Sequence, residues 1–195
     1  MRAECSGLTV VLLAAVAGLA ACRPADAQPA PQTAATAKAA AFDMTSVGLY
    51  QPSIAYEERV GDVKPLSDYI AALREEARRT FEAASPGPGI TGAIVVAVRP
   101  GNSSRVWLVT GENVLSPTVS ESLRRRLEAV PAVTVKNGPI GFAMNFNAWG
   151  GGKPIPVPES YPIPVPQEWR DALTAGGGYL PDDALPKAWP ETAPN

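Results

Sequence analysis

"TGAIVVAVRPGNSSRVWLVTG", residues 91–111, carries the clearest structural pattern in the chain. Two apolar, β-branched runs, 92–98 and 105–110, flank Pro100-Gly101-Asn102, so the stretch reads as two strands around a hairpin turn. Ile94, Val96 and Val98 share one face, as do Val106 and Leu108. Working outward, "KPLSDYIAALREEARRTFEAAS" (64–85) repeats Leu66, Tyr69, Ile70, Leu73, Ala77 and Phe81 at helical spacing, and "SPGPG" stops that helix. On the other side, "SPTVSESLRRRLEAV" (116–130) reads as a second helix, with Ser116 as cap, Pro117 in the first turn and a Val119, Leu123, Leu127, Val130 stripe. "PIGFAMNFNAWGG" (139–151) alternates: Ile140, Phe142, Met144, Phe146 and Ala148 point one way, Gly141, Ala143, Asn145 and Asn147 the other, which predicts a strand with one wet face.

The predicted domain, 64–150, is therefore α+β: a small three-stranded antiparallel sheet with two helices in α-β-β-α-β order. The run from "GAIVVAVRPGNSSRVWLV" through "SESLRRRLEAVPAV" to "GFAMNFNAWGG" resembles the C-terminal domain of the TonB/TolA group. Lys64-Pro65-Leu66 stands where that group often has Tyr-Pro. The resemblance implies partner binding along the edge of the last strand, by β-augmentation.

The N-terminus carries an address. "MRAECSGLTVVLLAAVAGLAAC" has Arg2 and then an apolar stretch, 8–21, of signal-peptide length. It ends in Leu19-Ala20-Ala21-Cys22, which resembles the bacterial lipobox. That resemblance implies a lipoprotein signal peptide over 1–21 and an acylated Cys22, bearing palmitate-type chains, as mature N-terminus; Arg23 after it favours the outer membrane, with the domain in the periplasm. Cleavage after Ala25-Asp26-Ala27 by the A-x-A rule is one alternative, giving a soluble periplasmic chain; an uncleaved membrane anchor is the other, which the short apolar stretch disfavours. Residues 22–41, rich in Ala and Pro without large apolar side chains after the cysteine, read as a disordered tether, and 42–63 as an arm of uncertain structure.

Composition excludes much chemistry. The chain of 195 residues has no histidine, two cysteines and a formal net charge of -2. His-based triads, a histidine general base, most zinc sites and an electrostatic footprint for nucleic acid are all missing. "GGGK" (150–153) lacks the spacing and the Ser/Thr of a phosphate loop, and Arg124-Arg125-Arg126 fans around a helix axis. No catalytic, metal or cofactor residues are expected. The adjacent acids Glu57-Glu58 and Asp182-Asp183 support an alternative reading, a cell-wall or glycan hydrolase using carboxylates.

Residues 151–195 form a Pro-rich strap and tail in which PIPVP occurs twice. Proline favours polyproline II here, and the strap reads as docked on its own domain or facing a partner. "QEWRDALTAGGG" (167–178) reads as a short helix ending at glycine. The candidate partner-binding residues are Phe146, Trp149, Ile155, Val157, Tyr161, Ile163, Val165 and Trp169. The functional expectation is a lipid-anchored envelope protein, held to the membrane through Cys22, acting as a non-catalytic protein-binding or structural module with an envelope protein as partner.

Overall fold

The computed structural model describes residues 39–157, 163–173 and 180–190. In chain order these form β1 (Phe42–Leu49), α1 (Ser53–Val60), α2 (Val63–Ala83), β2 (Ile90–Arg99), β3 (Ser103–Thr110), α3 (Pro117–Glu128), β4 (Ile140–Ala148), α4 (Gln167–Leu173) and α5 (Leu180–Ala188). The hairpin, its flanking helices and the following strand lie where their patterns predict. The sheet, however, has four strands rather than three, in the order β1-β4-β2-β3, and every pairing is antiparallel. There are also five helices among the described residues rather than two.

The additional strand comes from the stretch read as an arm. β1 pairs with β4 from Phe42↔Ala148 to Leu49↔Phe142, and the register shifts between Met44 and Ser46. That bulge moves Phe42 and Met44 out of step with Val47 and Leu49, which hides the period-2 signal from the sequence. β1 thereby occupies the edge of β4, so partner capture along that edge is not available in this fold. α1 follows at once, and the Tyr56 hydroxyl donates to Gly141 O across to β4.

On one face of the sheet, α2 and α3 lay down the predicted stripes. Leu73, Ala77 and Phe81 of α2 and Leu123 and Leu127 of α3 pack on Ile94, Val96, Ile140, Phe142, Met144 and Phe146. Asp62 caps α2 by accepting from the Lys64 amide at 2.9 Å, and Ser116 caps α3 by accepting from the Val119 amide at 3.3 Å. The hairpin turns through left-handed Gly101 and Asn102, residue types that tolerate that region.

The other face is covered as well, which corrects the expectation of a wet face. Val95 and Ala97 of β2, Trp107 of β3, Ala143 of β4 and Tyr50 meet Val165, Trp169, Ala172, Ala184 and Leu185 of the tail. Gly141 makes this possible: a Cβ there would sit 3.0 Å from Pro181 Cγ and 3.2 Å from Trp169 Cη2. Only the Asn145 and Asn147 end of that face stays partly open. The tail is held by polar contacts at its margins. Tyr50 donates to Pro164 O, Arg99 donates to Leu185 O at 2.9 Å, and Arg59 grips both carboxylate oxygens of Asp182 at 2.7 and 3.1 Å. Among the described residues, no helix is long and apolar enough to cross a membrane.

Candidate functional site

Covering both faces leaves the strand edges as the places where backbone donors and acceptors can meet something else. β3 is one outer strand and β1 the other. On β3 the parity is fixed by two bonds. The Gly111 amide donates to Thr91 O of β2 at 3.0 Å, whereas the Val106 amide donates outward to Glu128 Oε1 at 3.1 Å. Odd-numbered residues therefore bond to β2, and Ser104, Val106, Leu108 and Thr110 turn their N–H and C=O groups away from the sheet.

This edge is the floor of a groove of about 570 Å³. Pro117, Ser120, Glu121 and Arg124 of α3 form one wall, and Val165, Pro166, Gln167, Glu168 and Arg170 form the other. α3 stands there because its Leu123 and Leu127 are anchored in the first core, and residues 165–170 because Val165 and Trp169 are anchored in the second. The groove is therefore a by-product of covering both faces of the sheet with layers that overhang its last strand. The strand edge is capped at one end by the Glu128 carboxylate on the Val106 amide. At the other, Lys153 O lies 2.6 Å from where a Cβ on Gly111 would stand. Among the described residues, no hydrogen bond is made to the outward N–H or C=O groups of Leu108 and Thr110 in between.

β1 is less accommodating. Its bulge at Met44/Ser46 twists the edge, as edge strands that avoid pairing often do. Val47 and Leu49 are exposed, and Leu49 lines a pocket of about 200 Å³ together with Tyr56, Val60 and Leu66.

The chain matches no family model, no curated protein and no solved structure. The site is thus read from its geometry.

The residues singled out for partner binding separate into groups. Phe146 is buried against Phe42 and Phe81, with ring centroids 5.6 and 5.3 Å away. Trp149, in the left-handed region at φ 51°, stacks edge-on against Phe81 at 5.5 Å. Val165 and Trp169 are buried in the second core, and Ile163 packs over Gly48, 3.1 Å from a Cβ placed there. Ile155 is half-buried and Val157 is 43% exposed, while Tyr161 and Cys22 lie outside the described residues. Most of the list thus packs inside the domain, and residues 163–169 brace the second face of the sheet. Val165 alone also lines the β3 groove.

The carboxylates of the hydrolase reading stand on α1 and α5. Glu57 and Glu58 are exposed on α1, and Asp182 is occupied by Arg59. Among the described residues, one buried oxygen of Asp183 has no hydrogen-bond partner. Where a carboxyl group does shift, at Glu75, hydrogen bonds from Arg78 and Arg79 hold it down at about 2, the opposite of what a general acid needs.

The sequence does not mark Arg105, Leu108, Thr110, Glu121 and Arg170 as a site, and Arg124 stands out only within the Arg124-Arg125-Arg126 run, which reads as a solvated helix face. The signal available was the alternation of Arg105, Trp107 and Val109 against Val106 and Leu108, which marks β3 as two-faced. That it is an outer strand is set by pairing order, which no local pattern encodes.

Proposed function

We propose that the chain is a bacterial lipoprotein, anchored through an acylated Cys22 and facing the periplasm from the outer membrane, whose α+β domain is a non-catalytic protein-binding module. The observation that carries the binding half is the unpaired stretch of β3 at the bottom of the groove, where an extended segment of a partner can add as a further strand. The order α2, β2, β3, α3, β4 supports a likeness to the TonB/TolA C-terminal domain. By this reading the augmented edge is that of β3. The Leu19-Ala20-Ala21-Cys22 motif supports the anchor.

Metabolic labelling with a clickable palmitate analogue tests the anchor: the chain takes label and Cys22→Ser does not. Label on the Cys22→Ser chain, or none on the intact one, would remove that half. For the binding half, Thr110→Pro deletes one outward N–H and no ladder bond. A photo-reactive residue at Ser120, on the groove wall, is expected to give a discrete envelope adduct that Thr110→Pro abolishes. An unchanged adduct would mean that the edge is not the recognition element.

A further inference from the structure

We infer that the occupant of the β3 groove is a short extended segment with carboxylate side chains at alternate positions, an inference that rests on the reading of this edge as a binding site.

The charges on the two walls carry it. On the α3 wall, Arg124 is already joined to Glu121, so that wall is internally compensated. Across the groove, Arg105 and Arg170 have no carboxylate within ion-pair distance among the described residues. Arg105 reaches only Ala188 O, at 3.5 Å, and lies 5.3 Å from the Trp107 ring centroid. Arg170 spends its donors on the neutral Gln167 Oε1 at 2.5 and 3.2 Å. Glu168 is the single acid lining that wall, leaving two guanidinium groups against one carboxylate.

Strand geometry turns this imbalance into a pattern. Successive side chains of an added strand point to opposite walls, and every second one meets the same wall about 7 Å further on. Acids at alternate positions would thus face Arg105 and Arg170, while the residues between them face Leu108 and Pro117. Length is bounded too: between the Glu128 cap and the crossing at Gly111, the open edge is confined to the segment from Trp107 to Thr110. Glu128 itself shows that this edge accepts a carboxylate as partner for a strand amide.

The test uses the full chain in detergent and three labelled, end-blocked pentapeptides: Val-Glu-Val-Glu-Val, its Gln counterpart and its Lys counterpart, followed by fluorescence anisotropy. An exposed ion pair is worth up to about a fivefold change, so about threefold per arginine and about tenfold for both is expected in favour of the Glu peptide over the Gln peptide. The preference shrinks at high salt and in Arg105→Gln/Arg170→Gln. Because Arg105 also touches the tail, Arg170→Gln alone must lower the preference about threefold with near-UV circular dichroism unchanged. Equal binding of the Glu and Gln peptides, lost in Thr110→Pro, would overturn the acidic selection and leave strand addition standing. Tightest binding of the Lys peptide would do the same. No binding of any peptide, with no added protection of the Leu108 or Thr110 amide from hydrogen exchange, would overturn both.

Discussion

Replacing Trp169 by alanine should separate the tail's contribution from that of the rest of the domain. Trp169 is fully buried, and its ring lies 5.1 Å from Tyr50 and 5.3 Å from Trp107. Removing a large aromatic from a packed site costs about 3–5 kcal/mol when the surroundings cannot collapse. Here the surroundings have another course, since α4 and α5 can leave the sheet together, so the loss is capped at the free energy with which they dock. We therefore expect about 3 kcal/mol, seen as a lower urea midpoint, together with hydrogen exchange in α4 and α5 that outpaces exchange in β2 and β4. Trp169→Phe should cost less than half as much, because the ring contacts largely persist and the indole N–H finds no acceptor among the described residues. A Trp169→Ala loss below about 1 kcal/mol, or unchanged exchange in α4 and α5, would refute the claim that this side chain pins the tail.

Other outcomes follow from the same packing. Gly141→Ala places a methyl 3.0 Å from Pro181 and 3.2 Å from Trp169, so overpacking should cost about 1–3 kcal/mol by urea unfolding, and Trp169→Phe should relieve part of it. Asp182→Ala removes the clamp on Arg59, whose side chain is only 16% exposed, and should cost about 1–3 kcal/mol, with the largest rise in exchange at α5. Burial pushes the Tyr56 phenol from 10.0 up to about 12, and that of Tyr50 up further. Since the unfolded chain ionises first, this stability is whole below pH 10 and is lost as pH rises towards 12, by about 2–3 kcal/mol for Tyr56. Urea titrations across that window should show Tyr56→Phe with a shallower decline.

Much of this architecture is legible in the chain before folding. Ser116 and Pro117 announce α3, the Leu73, Ala77, Phe81 stripe announces α2, and alternation from Ile140 to Ala148 announces β4. The second covered face is hidden because its strand residues on β4 are Gly141 and Ala143, which carry no sign of being wet or dry. The better sign was in β2, where Ala93 to Val98 is apolar at every position, the pattern of a strand buried on both sides. α5 is masked by Pro181 and Pro186, although the first sits in the opening turn, where proline is tolerated. The groove arises only when α3, residues 165–170 and the outer strand meet, so its residues are scattered through the sequence without a shared motif.

The pairing of β1 with β4 has a consequence for timing. Among the described strands β1 is the first to emerge during synthesis, yet its neighbour in the sheet, β4, is the last. Because Leu49 must find Phe142 and Phe42 must find Ala148, the sheet cannot be completed on a partly emerged chain, and pairings of such long range form slowly. The tail, which seals the second face, arrives later still. The chain thus remains pliable through most of its synthesis and locks only once nearly all of it has emerged.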